Sequence, residues 1–291
     1  MAQNSLIDLH CHSTASDGAL SPTEVVNFAC ERGLKVLALT DHDSVSGVAE
    51  ATAAAQGRLQ LISGIEMSTV WRNFQIHVVG LFLDINHPLL QQSLEEQRLK
   101  RVERAEEIGR KLERLGFKDA YARTKAQAQP GASITRGNYA RFIASTGVCR
   151  SSDEAFNKYL KRGRPAYVKT AWGSVERAVQ TIRAAGGIAI LAHPRRYQMT
   201  NTKLRELIAE FKQAGGEALE VASAQQRPCD RQYLAQLCQR FDLLASLGSD
   251  FHVQGAWRDL GFNLALPSDC TALWQSPLYA ERFSIHAQFA Q

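Results

Sequence analysis

The sequence predicts an α/β fold, and three observations support this prediction. Short apolar runs alternate with amphipathic or capped helical segments along most of the chain. With 291 residues and a hydrophobic content of 45%, the chain can bury one large core. Clusters of His, Asp and Glu follow or interrupt several of the apolar runs. Such clusters are typical of parallel α/β folds, in which sites collect at the carboxyl ends of strands.

The first part of the chain is predicted to contain four short strands, over residues 6–9, 36–39, 59–65 and 76–82. The helix after the first strand has a well-marked start. Ser21 suits the N-cap, Pro22 the first helical position and Glu24 the third position of a capping box, and Gly33 ends the helix. A second helix is predicted over about residues 44–56. Three cycles of strand, candidate ligand and helix or loop indicate a parallel sheet.

The middle of the chain has a different pattern. A long amphipathic helix is predicted from residue 90 to residue 115, because apolar residues recur at steps near three and four until Gly116. Further helical segments and a loop rich in Ala, Gln, Pro and Gly continue to about residue 162. Because this block contains no candidate metal ligand, residues 89–169 are predicted to form an inserted helical subdomain. Residues 1–88 and 170–291 would then form the α/β domain.

The strand and helix alternation returns after this block. Helices are predicted over residues 174–185, 203–214 and 230–241, and strands over residues 188–192, 218–222 and 243–247. The tail after Pro267 is predicted to be irregular.

Composition narrows the class of protein further. Neither a secretory leader nor an apolar run near the roughly 18 residues of a membrane span is present, so we expect a soluble, cytoplasmic protein with no membrane contact. The cysteines are scattered without any C-x-x-C pair, which predicts neither disulfides nor a zinc-thiolate site. Cys11 is expected to lie in the core, on the strand face opposite its neighbours.

The net charge of +5 is distributed unevenly. Residues 95–169 contain 18 Lys and Arg against 9 Asp and Glu, an excess of +9, which leaves −4 for the rest of the chain. One interpretation of this basic excess is that the residues form a solvated helical face. The other is that they form an electropositive lid over a polyanionic substrate.

The candidate metal ligands begin with His10 and His12, whose spacing places both imidazoles on one face of a strand. A single His-x-His pair is usually incidental, but further His, Asp and Glu residues recur after or within the other apolar runs. Six of the 8 histidines belong to this set. The candidate ligands are His10, His12, Asp17, His42, Glu66, His77, His193, Asp250 and His252.

These side chains are too many for one ion that keeps a position open for substrate, so two or three divalent metals are predicted. Imidazole with carboxylate suits Mn, Fe or Zn, and Mn is our first expectation. Metals roughly 3.5–4 Å apart can hold a hydroxide at neutral pH and clamp the attacking and leaving oxygens at phosphorus. The chemistry predicted is therefore hydrolysis of a phosphate ester.

The order His10-x-His12, Asp17-Gly18, Thr40-Asp41-His42, Gly64-Ile65-Glu66, His77, Ala192-His193-Pro194 and Asp250-Phe251-His252 resembles the PHP (polymerase and histidinol phosphatase) family. This resemblance implies a distorted (β/α)7 barrel with a trinuclear metal centre. It assigns His10, His12, Glu66 and Asp250 to one metal, Glu66, His77 and His193 to a second, and Asp17, His42 and His252 to a third. Asp17, Glu66, His193 and His252 are the implied catalytic residues.

Within that family, the chain looks most like the bacterial nucleoside 3',5'-bisphosphate phosphatases, whose relatives also act as 5' to 3' exoribonucleases on short RNA. That group has a helical insertion and a Thr-Arg-x-His-like segment, which is Thr135-Arg136-Gly137-Asn138 here, with Asn in place of His. The predicted substrate-binding residues are Arg136, Asn138, Lys169 and Arg195, of which Arg136 is expected to hold a phosphate bidentately.

The leading hypothesis is therefore a phosphatase that removes the 3'-phosphate of a nucleoside 3',5'-bisphosphate. Exonuclease action on short 5'-phosphorylated oligonucleotides and hydrolysis of histidinol phosphate are the alternatives within the enzyme class, although the basic insertion argues against an amine-bearing substrate. A structural metal-binding module is the alternative without catalysis. A nucleic-acid-binding module is disfavoured because Phe117, Tyr121, Tyr139 and Phe142 suit a small core better than a stacking series. No obligate protein partner is inferred.

Overall fold

A sheet that almost closes on itself forms the frame of the molecule. The structure is a computed structural model that describes residues 5–129, 131–224, 226–255 and 259–283. Its strands are β1 (Ile7–Cys11), β2 (Val36–Leu39), β3 (Gln60–Trp71), β4 (Phe74–Leu81), β5 (Gly173–Ser174), β6 (Ile188–Leu191), β7 (Ala218–Ser223) and β8 (Leu244–Gly248). The order in the sheet is β1-β2-β3-β4-β6-β7-β8, and β5 pairs with β3 beside this path.

The two ends of the sheet meet just beyond β8. The Asp250 amide donates to the carbonyl of His10 at 2.8 Å, and the His12 amide donates to the carbonyl of Phe251 at 2.9 Å. Cys11 and Phe251 form a parallel bridge. The sheet is therefore a nearly closed, distorted barrel, which confirms the predicted α/β barrel fold.

Strand β4 corrects the expectation of a wholly parallel sheet. It runs antiparallel to β3 and to β6, whereas β1, β2 and β3 are mutually parallel, as are β6, β7 and β8. Only Arg72 and Asn73 lie between β3 and β4, and a parallel strand would need a crossover of a dozen or more residues. Because β4 is reversed, His77 pairs with Ser68 in the second half of β3, near the end of the barrel that holds Glu66.

The helices are α1 (Pro22–Glu31), α2 (Val48–Ala55), α3 (Pro88–Arg114), α4 (Ala120–Gln127), α5 (Arg136–Ser145), α6 (Ser152–Ala155), α7 (Val175–Ala184), α8 (Asn201–Gln213) and α9 (Pro228–Phe241). The capping box predicted at Ser21 and Glu24 is present at the start of α1. Helix α2 begins later than predicted because Ser44 and Ser46 form a turn, in which their hydroxyls lie 2.9 Å apart.

Two kinds of core are present. The barrel is filled by aliphatic side chains from its strands and from the helices that cover them, in three hydrophobic clusters. Helices α3 to α6 contribute to a separate cluster around Phe117, Tyr139 and Phe142, and Tyr121 packs against its edge. Cys11 is fully buried and donates to the carbonyl of Ala38, as expected for a core residue.

After Pro267 the chain forms two short 3-10 turns, Leu273–Gln275 and Ala280–Arg282. Phe283 is buried against the barrel. The remainder of the tail predicted to be irregular, residues 284–291, lies outside the described residues. Among the residues that are described, none of the helices combines the length and the apolar character that crossing a membrane requires.

Candidate active site

The site begins on β1 and in the loop that follows it. His10 and His12 lie on the same side of the strand, with their Nε2 atoms 3.2 Å apart. Both imidazoles are at most 1% exposed. The alternation of the strand, which sends Cys11 into the core, is what sends these two side chains into the barrel mouth.

Glu66, which is fully buried in β3, is the centre of the site. Its backbone amide donates to the carbonyl of Asp41, and its carbonyl accepts from the Asp43 amide, so the loop after β2 is fixed beside it. Imidazole nitrogens surround both carboxylate oxygens. Oε2 lies 3.4 Å from His10, 3.2 Å from His12 and 3.0 Å from His42, and Oε1 lies 2.8 Å from His77 and 2.9 Å from His193.

The segment after β8 completes the cluster. Asp250 Oδ1 lies 3.1 Å from His12 Nε2, and Asp17 Oδ1 lies 3.2 Å from His252 Nε2. Asp250 and His193 both have positive φ, at 52° and 29°. Non-glycine residues adopt this region at an energetic cost, and such strain is concentrated at functional sites.

The residues present fit the metal centre that the ligand types imply. Three groups have one ligand atom per residue within 4.8 Å of one another: His10, His12, Glu66 and Asp250; His12, Asp17, His42 and His252; and His42, Glu66 and His77. Glu66 Oε2, Asp17 Oδ1 and His42 Nδ1 are buried and have ion-pair neighbours at 3.0–3.2 Å, but none of the three makes a hydrogen bond of regular geometry among the described residues. Buried polar atoms that make no regular hydrogen bond to the protein suit metal ligands. These groups contain eight of the nine predicted ligands, with His42 beside Glu66 and His77 where His193 was expected, and His193 lies 2.9 Å from Glu66 Oε1.

The electrostatics of the cluster favour ionised carboxylates. Burial alone would raise the pKa of Glu66, but His77, His42 and His10 outweigh it and hold that pKa well below its usual range. Burial is likewise outweighed at Asp250, whose pKa is lowered chiefly by Arg196. In the metal-free protein, burial opposes a raised pKa at His12, but Asp250 and Glu66 raise it to about 10.

Sequence reasoning missed the residues that orient the ligands. Glu220, in β7, is buried, and its Oε2 lies 2.6 Å from His10 Nδ1. A carboxylate can only accept there, so Nδ1 carries the proton and Nε2 is left free to bind a metal. Arg196 donates to Asp250 and, at 2.9 Å, to the Ser223 hydroxyl. A charged residue inside the apolar run of residues 218–222 was the available signal for Glu220.

Two aspartates flanking His42 also have defined partners. Asp41 accepts from the Ser13 amide and hydroxyl, at 2.8 and 2.7 Å, and thereby shapes the loop that carries His12. Asp43 accepts from Arg101 of α3 in a buried ion pair. Helix α3 is thus joined to the barrel directly beside a candidate ligand.

The predicted substrate-binding residues lie in different surroundings. Arg136 begins α5 and lies 5.1 Å from the Phe156 ring centroid, with one weak hydrogen bond, to Gln75 at 3.3 Å. Asn138 accepts from the Thr135 amide at 2.7 Å and donates to the Ser16 carbonyl, so its amide is occupied in capping α5. The cap places Thr135, whose hydroxyl donates to Asp17.

The other two predicted residues are less directly connected to the cluster. Lys169 is exposed. Arg195 donates to Asp230 and to Asn201, each at 2.8 Å, and so faces away from its neighbour Arg196, which holds Asp250. The sequence could not distinguish these adjacent arginines, because only the 3-10 turn after His193 decides which guanidinium faces the candidate ligand Asp250.

Arg104, which sequence reasoning passed over, is only 8% exposed. Its Nε and Nη2 atoms are buried and have no hydrogen-bond partner among the described residues. Its guanidinium lies 5.4 Å from the Trp172 ring centroid. Burial, followed by the charges of Arg136 and Arg101, lowers the pKa of Arg104 well below its usual range. Arg101 is paired with Asp43, but Arg104 and Arg136 form no ion pair among the described residues, and two unpaired guanidinium groups whose charges act on one another suit an anion.

A nearly closed α/β barrel with this arrangement of imidazoles and carboxylates at its mouth defines a hydrolase of phosphate esters. Comparison with known proteins supports the same class of enzyme. The PHP domain model matches residues 8–224, and the chain belongs to the PHP domain family. Family and enzyme class are therefore as predicted from the sequence.

Similar proteins cover nearly the whole chain. A 5'-3' exoribonuclease of Haemophilus influenzae is 46% identical over 269 residues, which are 92% of this chain and 97% of that protein. A 3',5'-nucleoside bisphosphate phosphatase of Chromobacterium violaceum is 41% identical over 271 residues, 92% of this chain and 95% of that protein. A solved structure from Chromobacterium violaceum, described as an amidohydrolase with bound sulfate and no metal, superposes with a TM-score of 0.89 at 41% identity, covering 93% of this chain and 95% of that one.

Proposed function

We propose that this protein removes the 3'-phosphate from nucleoside 3',5'-bisphosphates, such as adenosine 3',5'-bisphosphate, to give the 5'-monophosphate and inorganic phosphate. The observation that supports this most directly is the pair of anion-binding features beside one another. One is the cluster around Glu66, and the other is the buried Arg104 with the half-buried Arg136, neither of which forms an ion pair with a carboxylate among the described residues. A substrate with two phosphates would engage both.

The cluster would hold three divalent ions, with Mn first and Fe or Zn as alternatives. His10, His12, Glu66 and Asp250 would hold one, Glu66, His77 and His193 a second, and Asp17, His42 and His252 a third. Bound there, the metals would supply Lewis acidity toward the phosphoryl oxygens and lower the pKa of water. The protein contributes Glu220 and Arg196, which keep His10 and Asp250 in fixed orientations.

Four of the candidate ligands would also contact the reacting groups. They form two pairs of a carboxylate and an imidazole in contact, Asp17 with His252 and Glu66 with His193. In the reaction, the bond between phosphorus and O3' breaks. Water supplies the oxygen that stays on phosphorus and the proton that O3' gains. The side chain of His252 is 24% exposed, compared with 0% for Glu66, so His252 lies nearer the solvent through which the nucleotide enters.

The second phosphate, at the 5' position, would lie between Arg104 and Arg136. Their partners are aromatic faces, Trp172 for Arg104 and Phe156 for Arg136, which leave the guanidinium edges available for a phosphate. Lys169, in the segment after this pair, would add charge at the rim, and Asn138 would act through the cap that holds Arg136 and Thr135. Arg195 would contribute least, because Asp230 neutralises it.

The test compares adenosine 3',5'-bisphosphate with adenosine 3'-monophosphate. We expect Arg104→Met to lower kcat/KM for the bisphosphate by about 10–100-fold, the effect of losing a charge-assisted hydrogen bond, and to leave kcat/KM for the monophosphate nearly unchanged. Arg98→Met, on the same helix but exposed and paired with Glu95, is the control. Equal turnover of both nucleotides by the wild-type enzyme would refute the proposal.

A second activity, 5' to 3' exoribonuclease action on short 5'-phosphorylated RNA, is compatible with the same site. Cleavage that releases a 5'-mononucleotide breaks the same bond between phosphorus and O3', and relatives at 46% and 42% identity are exoribonucleases. Dependence of kcat/KM on chain length separates this activity from the phosphatase activity. Histidinol phosphate would present an amine to the arginine pair, which disfavours it.

A further inference from the structure

A groove beside the metal-ligand cluster takes no part in the function proposed so far. Its volume is about 770 Å³, and it lies between α3, the loop after His42 and the segment that precedes α5. Cavities of about 300–1,000 Å³ are typical of ligand sites. The groove is lined among others by Ser44, Val102, Ala105, Tyr121 and Ser133.

The lining of the groove is nearly neutral. Arg101 is paired with Asp43, and Arg98 is paired with Glu95, so their charges cancel within the wall. Lys125 lies 5.8 Å from the Tyr121 ring centroid, at the edge of an aromatic surface. Apolar side chains, one aromatic ring and uncharged hydroxyl and amide groups suit a planar heterocycle with a hydrogen-bonding edge better than a phosphate.

One lining group lacks a partner. The Ser133 hydroxyl oxygen is buried, and no hydrogen-bond partner for it exists among the described residues. A buried hydroxyl that is left unpaired costs free energy, which a ligand with a matching donor or acceptor would recover.

The position of the groove relates it to the scissile phosphate. One wall, Asp43 and Ser44, directly follows His42. A second wall, Ser133 and Ile134, directly precedes Thr135, whose hydroxyl donates to Asp17. Both walls therefore continue from chain segments that form the metal-ligand cluster.

The arginine pair that would hold the 5'-phosphate packs on Trp172 and Phe156, and neither of its members lines the groove. In an oligonucleotide, the first nucleotide lies between its 5'-phosphate and the scissile phosphate. The second nucleotide is attached to the scissile phosphate and extends away from the first.

We infer that this groove binds the base and ribose of the second nucleotide of a 5'-phosphorylated oligonucleotide. The inference rests on the proposed function, because it takes the scissile phosphate to lie at the cluster around Glu66. It adds a subsite that a nucleoside bisphosphate does not use.

Filling the groove tests the inference. Val102→Trp places a large side chain in the groove, whereas Leu99→Trp, on the same helix at a 55% exposed position outside the lining, is the matched control. The substrates are adenosine 3',5'-bisphosphate and the 5'-phosphorylated dinucleotide of adenosine. We expect Val102→Trp to lower kcat/KM for the dinucleotide by about tenfold or more, as for loss of a base-binding contact. The bisphosphate rate should stay within about twofold of wild type, and Leu99→Trp should change neither rate by more than that.

A smaller change guards against a folding defect. Ser133→Ala removes only the unpaired hydroxyl, and we expect it to raise KM for the dinucleotide by about threefold to tenfold, as for one hydrogen bond, with the bisphosphate unaffected. The inference is overturned if Val102→Trp lowers both rates equally while circular dichroism shows a folded protein, if it lowers neither, or if the wild type cleaves the bisphosphate but not the dinucleotide. A wild-type protein that cleaves neither substrate overturns the proposed function itself.

Discussion

Replacing Glu220 by Gln tests whether a residue behind the metal ligands sets their affinity. The side chains of His10 and Glu220 are 1% and 2% exposed, and the atoms that join them are 2.6 Å apart. Water therefore does not screen this contact. The substitution keeps the shape and one acceptor but removes the charge that fixes the proton on His10 Nδ1. Loss of such a partner typically weakens metal binding by about 10–100-fold, or about 1.4–2.7 kcal/mol.

The assay is a calorimetric titration of the metal-free protein with Mn²⁺. Glu217→Gln is the matched control, since Glu217 lies three residues earlier and accepts instead from the Ala189 amide at 2.9 Å. We expect the ion that His10 would hold to bind about 10–100-fold more weakly in the Glu220 variant, while the control binds as the wild type does. Unchanged affinity in Glu220→Gln, or equal losses in both variants, would refute the orienting role. Thermal unfolding of both metal-free proteins shows whether a general loss of stability is responsible.

Three further outcomes can be measured. Arg101→Met should lower the free energy of unfolding by about 3–5 kcal/mol, because a buried carboxylate loses its partner. Arg98→Met, which breaks an exposed ion pair, should change it by only about 0–1 kcal/mol in urea unfolding. Gly137→Ala should weaken metal binding without changing the circular dichroism spectrum, since the added Cβ would lie 2.6 Å from Asp17 Oδ2. Metal uptake at pH 7 should release protons, seen as an enthalpy that varies with buffer, because the pKa of His12 is about 10 without metal. The affinity of the protein for the metal should therefore rise with pH up to about pH 10, the pKa of His12. Metal uptake without proton release would contradict the raised pKa of His12.

The cluster of candidate ligands could be predicted because each member has a local signature. A strand that ends in a polar cluster delivers its side chains to one end of a barrel, so His10, Glu66 and Asp250 were identifiable without knowledge of their distances. The direction of β4 was not identifiable in this way. An apolar run reads the same in a parallel and an antiparallel strand, and only the two-residue connection to β3 decides between them.

Sequence patterns could not predict the contacts between segments that are distant in the chain. Arg195 and Arg196 have the same chemistry and adjacent positions, yet one holds Asp230 and the other holds Asp250. From the sequence alone, Arg104 could not be distinguished from the exposed basic residues of the same helix. Its burial against Trp172 depends on a segment about 70 residues later in the chain, which no periodicity in α3 reports.

Helix α3 relates the proposed phosphate site to the metal-ligand cluster. Arg101 and Arg104 are three residues apart and therefore project from neighbouring positions on one face of the helix, whereas Val102 projects to the side, into the groove. The buried pair of Arg101 with Asp43 fixes this face against the residue next to His42. Any movement of α3 would therefore shift the 5'-phosphate site and the second-nucleotide site together relative to the metal ligands. The spacing between two phosphates that the enzyme accepts would then be set by one helix and one buried ion pair.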